Sequence, residues 1–347
     1  METEHEAGVV FQQSFGTARC VLCGLRLVTV LVTGAAGFIG FHTARRLCLD
    51  GHEVVGIDNL NDYYDVALKQ ARLKALESLP GFRFRKMDIV DKPALLDLFG
   101  EYRFSEVVHL AAQAGVRYSL DHPDVYAQSN LVGFLNVLEA CRHHRPGHLI
   151  YASSSSVYGS NCKMPFSIED AVDQPVSLYA ATKRANELLA HSYCHLYGLK
   201  ASGLRFFTVY GPWGRPDMAP FKFTEAILNG KPIDVYNQGE MARDFTYIDD
   251  IVESIARLRT RPPGEGINRL FNIGRGEPMA LLDFIDCLES ALGTEARRHF
   301  MPMQDGDVVK TWADVSALQA WIDFRPQVSV AAGVGAFVQW YRQFYQI

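Results

Sequence analysis

Three glycines between a β-branched run and an amphipathic stretch constrain this chain more than any other feature. Val28–Thr33 reads as a buried parallel strand, and Phe38–Asp50 has helical spacing at Ile39, Ala44, Leu47 and Leu49. Between them runs Gly34-Ala-Ala-Gly37-Phe-Ile-Gly40. The chain there must turn sharply, admit a pyrophosphate against its backbone and seat a helix on the sheet, and glycine permits each. The helix N-terminus then faces the pyrophosphate. A second strand, Glu53–Ile57, follows, and Asp58 ends it 24 residues after Gly34. Its carboxylate suits adenosine ribose hydroxyls and repels a 2′-phosphate, which favours NAD over NADP. Phe38, Ile39 and Asn59 belong to the same expected cofactor site, as do Asp88 and Ile89 after the third strand, where an adenine would lie. Leu110, Ala111 and Ala112 end the fourth strand in mostly small residues and leave room for the cofactor.

The rhythm continues beyond that motif. Helices are expected over Tyr64–Ser78, Asp91–Phe99, Val125–His143 and Leu178–Tyr197. Strands are expected over Phe82–Lys86, Glu106–Leu110, Leu149–Ala152 and Leu199–Leu204. Strands alternating with helices give βαβ units, and right-handed crossovers cover both faces of a parallel sheet. The predicted fold is α/β and doubly wound (Rossmann-like), with its ligand at the carboxyl ends of the strands. After about residue 206, Gly211, Pro212, Gly214, Pro216 and Pro220 break the pattern. The expected division is a cofactor domain over 28–205 and a smaller substrate lobe over 206–347, with some segments returning to the first domain.

With 347 residues, 48% of them apolar, the chain can bury a sizeable core. A net charge of −5 argues against a nucleic-acid binder, so an anionic substrate needs local basic residues. No apolar run reaches the ~18 residues of a membrane span. Seven scattered cysteines read as reduced thiols of a cytoplasmic protein. Cys20 and Cys23 form a lone CxxC without the further ligands a structural zinc needs. His191 and His195 share a helix face without a third ligand, so no metal is expected. Residues 1–27 precede the first strand, open acidic and lack the form of a secretory signal. They read as a poorly ordered extension or a misplaced start.

Two further clusters carry chemistry. Tyr179 and Lys183 sit four apart near the start of a helix, on one face. A phenol titrates near pH 10, and a nearby ammonium together with a nicotinamide cation lowers it toward use as a base. Ser153-Ser154-Ser155-Ser156 ends the fifth strand, followed by Val157-Tyr158-Gly159. Strand alternation puts Ser154 and Ser156 on one side, and one of them should bond the reacting oxygen beside Tyr179.

These motifs, in this order, resemble those of the extended short-chain dehydrogenases, and within them the nucleotide-sugar 4-epimerases, over about residues 28–345. The resemblance implies that Tyr179 is the base, that Lys183 lowers its pKa and holds the nicotinamide ribose, and that Ser154 is the hydroxyl partner, with Ser156 as second choice. Related 4,6-dehydratases carry Asp-Glu where this chain has Ser155 and Ser156, and related decarboxylases carry Glu at the place of Ser156. Without an acid there, oxidation at C4 and hydride return to the opposite face remain.

On the substrate side, the resemblance assigns Arg243 to a pyrophosphate, Val235 and Tyr236 to the flanks of the base, and Asn130 to sugar phosphates or hydroxyls. Gln304 and Asp307 match a loop that contacts the nucleotide ribose. The segment Leu204–Ala219 resembles UDP-glucuronate 4-epimerases in having Thr208 where UDP-galactose 4-epimerases have Asn, and Arg215 after Pro-Trp-Gly. Asp58–Asp65 and Ala114–Ser119, which includes Arg117, resemble them too. A planar guanidinium at Arg215 matches a C6 carboxylate bidentately. In relatives the helices at 125–143 and 178–197 pair with a second subunit, so a homodimer is expected. The alternatives are an epimerase or another redox enzyme acting on a neutral sugar nucleotide, and a non-catalytic NAD-binding regulator. Retention of Tyr179, Lys183, the serine run and Arg243 argues against the last.

Overall fold

A computed structural model describes residues 28–304 and 307–347 of the chain. The expectations for residues 1–27, including Cys20 and Cys23, fall outside the described residues.

The first half alternates as expected: β1 (Thr29–Thr33), α1 (Phe38–Leu49), β2 (Glu53–Asp58), α2 (Val66–Glu77), β3 (Phe82–Lys86), α3 (Lys92–Tyr102) and β4 (Glu106–His109). Short helices α4 (Tyr118–Asp121) and α5 (Pro123–Tyr126) run through a π-helical turn at Ala127–Val132 into α6 (Gly133–His144). The single long helix expected at 125–143 is therefore interrupted. β5 (His148–Ser154), α7 (Leu178–Tyr197) and β6 (Ala201–Phe206) complete this half. Asp91 caps α3 through the Ala94 N–H at 3.1 Å, and Ser177 caps α7 through the Ala180 N–H at 3.2 Å.

The second half contains β7 (Thr208–Tyr210), α8 (Ala219–Leu228), β8 (Ile233–Val235), β9 (Ala242–Tyr247), α9 (Ile248–Arg259), β10 (Asn268–Ile273), β11 (Pro278–Ala280), α10 (Leu281–Leu292), β12 (Arg298–Phe300), α11 (Ser316–Ile322) and α12 (Val330–Tyr345). The large sheet has seven parallel strands in the order β10-β6-β5-β4-β1-β2-β3. Its last member, β10, comes from the irregular half and pairs with β6. Small sheets β11-β9-β7 and β12-β8 stand apart.

Alternate strand residues feed two cores. Val30, Val32 and Val54 pack with Phe41 and Leu47 of α1 and with Ile251, Ile255 and Leu258 of α9. Leu31, Val55 and Ile57 pack with Phe99, Phe134, Val137 and Ala190 on the other face. Strands buried on both sides explain the unbroken apolar runs in the sequence. A third core joins α8, α10 and α12 to the small sheets. Strand order reverses between β1 and β4, and the crevice at their carboxyl ends is where a doubly wound sheet takes its ligand.

Candidate active site

A cavity of about 660 Å³ opens at that crevice. Gly34, Gly37, Phe38, Ile39, Gly40, Asp58, Asn59, Asp88, Ile89, Leu110, Ala111 and Ala112 all line it, so the structure brings the expected cofactor residues together. Gly34 has φ +71°, and a Cβ there would lie 2.8 Å from the Ala111 nitrogen. A Cβ on Gly40 would run into the Gly34 carbonyl oxygen. The three glycines thus leave a backbone cradle at the start of α1 that fits a pyrophosphate. Asp58 turns the chain as well as facing the cavity: its carboxylate accepts the Leu60 N–H at 2.8 Å and the Ala36 N–H at 3.2 Å. Asn59 donates to Asp88 at 2.9 Å and ties the ends of β2 and β3. Thr33 accepts the N–H groups of Leu110 and Ala111 at 3.1 and 3.0 Å, which fixes β4 against β1.

Tyr179, Lys183, Ser154 and Ser156 share the same cavity. Burial draws the Lys183 ammonium down to about 8, and its Nζ donates to the Ala152 carbonyl at 2.9 Å. That bond pulls it toward β5, with Nζ 6.0 Å from the centre of the Tyr179 ring. Burial raises the Tyr179 phenol above its ordinary value, opposed by a hydrogen bond with Ser154 and by the charge of Arg215. Ser154 and Ser156 are neighbours, with hydroxyl oxygens 3.1 Å apart, but strand alternation is not the reason. β5 ends at Ser154, and a 3-10 turn over Ser155–Tyr158 folds Ser156 back so that its N–H donates to Ser154 Oγ.

Behind this face, Glu187 of α7 bonds Arg205 of β6 through two contacts of 2.8 and 2.9 Å and accepts from Ser153 of β5 at 2.6 Å. Nothing in the sequence pattern marks this pair, because a charged residue inside a helix reads as a solvated face. It bolts the helix that carries Tyr179 and Lys183 onto two strands.

Of the expected substrate residues, Arg117, Thr208, Arg215, Tyr236, Arg243 and Asp307 line the cavity. Arg117 pairs with Asp307 at 2.9 Å, and its guanidinium lies 5.2 Å from the centre of the Tyr236 ring. Arg243 forms no ion pair among the described residues and donates to the carbonyls of Ala242 and Val309, leaving its charge for an anion. Arg215 is not a free clamp. Its Nε and Nη2 bond the Asp217 carboxylate, which Tyr63 also holds at 3.1 Å. Only the terminal edge of the guanidinium remains for a substrate carboxylate. Tyr63 and Asp217 were missed as individual residues, although both lie inside segments whose resemblance was noted.

Three expected contacts do not reach the cavity. Asn130 is buried and fully used: its amide exchanges hydrogen bonds with the Gln113 backbone at 2.8 and 3.0 Å and donates to Thr182. Val235 points into the third core, among α8, α10 and α12, because it sits on the inner side of β8. Gln304 precedes the loop whose Asp307 does line the cavity, but is not itself part of the lining. No helix among the described residues is long and apolar enough to cross a membrane, and no group of three metal-binding side chains gathers among them.

Comparison with known proteins agrees with this geometry. The sequence profile of the NAD dependent epimerase/dehydratase family matches residues 30–274. An uncharacterized 37.6 kDa protein of Escherichia coli O111:H- is 59% identical over 332 residues, covering 91% of this chain and 99% of its own. A probable UDP-glucuronate 4-epimerase of Rhizobium meliloti (strain 1021) is 50% identical, with 91% of this chain and 97% of that protein covered. The crystal structure of a UDP-glucuronic acid 4-epimerase from Bacillus cereus, in complex with UDP-glucuronic acid and NAD, superposes with a TM-score of 0.86 at 35% identity, covering 91% of this chain and all of that one. The glycine cradle, the Tyr179–Lys183 helix and the match across most of the chain lead to one conclusion: this protein belongs to the NAD dependent epimerase/dehydratase family.

Proposed function

We propose that the protein interconverts UDP-glucuronate and UDP-galacturonate as an NAD-dependent 4-epimerase. The observation that carries this reading is Arg215, a guanidinium in the cavity whose charge is felt at the Tyr179 phenol. A cation beside the reacting position suits a sugar with a carboxylate at C6 better than a neutral one. The relatives of the same name support it.

Bound NAD supplies a hydride acceptor at C4 and a donor for the return step. The glycine cradle, Asp58 and Lys183, which line one cavity, would hold it. Tyr179 takes the C4 hydroxyl proton in the forward direction and gives it back on return. Ser154 holds the same oxygen. Arg243, Arg117 and Tyr236 anchor the nucleotide while the keto sugar turns to present its other face. Arg215 and Thr208 hold the carboxylate so that its C–C bond lies off the carbonyl π axis, which protects a β-keto acid from losing CO2. We read the small sheets with α8, α10 and α12 as the substrate lobe.

The exposed apolar side chains of Leu135 and Leu188, with Leu131 and Leu189 beside them on α6, α7 and the π turn, support a homodimer, which sedimentation would test. The described cysteines are all free thiols, in keeping with a cytoplasmic setting. The deciding experiment incubates purified protein with UDP-glucuronate, without added cofactor, and follows the anomeric protons by NMR. UDP-galacturonate approaching a fixed ratio from either side supports the proposal. Turnover of UDP-glucose or its N-acetyl analogue alone would replace it with a neutral-sugar epimerase.

A further inference from the structure

The turn that leads into Arg215 is strained. Trp213 has φ +61°, a left-handed conformation that a bulky side chain rarely adopts. Such a residue persists only where its surroundings over-determine it, and these sites cluster around function. Three consecutive carbonyls of the turn are each held from the cofactor half of the molecule. His42 Nε2 donates to Pro212 at 2.9 Å. Arg72 Nη2 donates to Trp213 at 2.6 Å and to Gly214 at 3.1 Å. The Trp213 ring packs against Phe41, Trp340 and Phe344 at 5.2–5.4 Å between centres.

Arg72 is an unusual residue to find there. It lies on α2, is 0% exposed and forms no salt bridge among the described residues. Buried arginines are ordinarily paired with an acid. Its remaining bonds go to the Ala36 carbonyl at 2.8 Å, inside the glycine run, and to the Tyr64 hydroxyl at 2.7 Å. One planar fork therefore spans two loops: the one that cradles the cofactor and the one that presents Arg215. A lysine ammonium has no such fixed fork and could not serve both loops in the same geometry.

We propose that Arg72 is a positioning residue for substrate recognition, latching the strained Trp213 turn to the cofactor loop and thereby aiming Arg215 into the cavity. The inference rests on reading Arg215 as the carboxylate contact. It assigns Arg72 no contact with substrate.

The test uses full-length Arg72→Lys and Arg72→Met, with retained NAD measured after release from the purified protein. Arg72→Lys keeps the buried charge and carries the test if Arg72→Met fails to fold. The expected result is normal NAD content, a KM for UDP-glucuronate raised about tenfold, and a kcat changed much less. Inhibition by UDP, which shares the nucleotide but lacks the carboxylate, stays as in the wild type. Equal weakening toward UDP and UDP-glucuronate would mean general damage and overturn the latch. Activity lost with NAD and restored by adding it would make Arg72 a support of the cofactor loop alone, which also overturns it. A crystal structure of Arg72→Lys gives a reading independent of the substrate. Trp213 should leave the left-handed region and Arg215 should shift with it, and an unchanged turn sinks the proposal. If the wild type leaves UDP-glucuronate untouched, the functional proposal fails, and this structural comparison alone decides the latch.

Discussion

Replacing Glu187 by alanine should cost more stability than any surface change in this protein. The Glu187 and Arg205 side chains are each 1% exposed, and two contacts of 2.8 and 2.9 Å join them. Ser153 donates to Glu187 at 2.6 Å, Arg184 donates to it at 3.0 Å, and Arg205 also donates to the Tyr158 hydroxyl at 3.0 Å. Burial alone would lower the Arg205 guanidinium and Glu187 raises it; with the glutamate removed, the intrinsically high basicity of guanidinium still keeps Arg205 charged. Leaving one buried charge unpaired costs about 3–5 kcal/mol. Against a total stability of roughly 5–15 kcal/mol, that is a large fraction. The double variant Glu187→Leu/Arg205→Met leaves no fully buried charge unpaired, since the Arg184 side chain that also loses Glu187 is 29% exposed, and should recover most of the loss. Urea denaturation at pH 7, at a fixed NAD concentration, compares the three proteins. Because α7 carries Tyr179 and Lys183, Glu187→Ala should also lower kcat about tenfold with little change in KM. A loss of less than about 1 kcal/mol, or a double variant as weak as the single one, would refute the reasoning.

Further outcomes follow from the same geometry. Arg215→Ala should raise KM for UDP-glucuronate and divert part of the turnover to a decarboxylated nucleotide pentose, read by NMR; with neither change, the clamp reading is wrong. Lys183→Met should abolish epimerisation yet stabilise the fold at pH 7. The Lys183 ammonium is pulled from 10.5 to about 8. The folded state therefore resists holding that proton, at a cost of up to about 3 kcal/mol below pH 8. The unfolded chain binds more protons between pH 8 and 10.5, so the wild type gains on Lys183→Met as pH rises through that window; parallel denaturation curves would contradict this. Gly40→Ala should purify without nucleotide, because the added Cβ meets the Gly34 carbonyl oxygen. Full NAD occupancy in that variant would show that the cradle yields.

The first six parallel strands, the glycine cradle and the Tyr179–Lys183 pair were legible because each is local. Helical and strand periods, and motifs only a few residues long, are written in neighbouring positions. β10 was not found as a strand of the large sheet: it follows a loop in the irregular half, and its pairing with β6 spans more than sixty residues of chain. Asn130 shows the opposite limit. Its place near the site was legible, but its amide is consumed by Gln113 and Thr182, partners no spacing rule connects to it. The serine run lines the same cavity as Tyr179, and a turn, not strand alternation, brings Ser154 and Ser156 together.

The sequence alone determined the dinucleotide fold, the glycine cradle and the placing of Tyr179 and Lys183 on one helix, since those depend on short-range spacing and on glycine's missing side chain. Tertiary structure alone decided which charges meet. Asp217 occupies one edge of Arg215, Glu187 neutralises Arg205, and Arg72, buried with no acid partner among the described residues, holds a strained turn. Those pairings depend on how separate elements pack, and desolvation makes each of them matter far more than the same residues would in water.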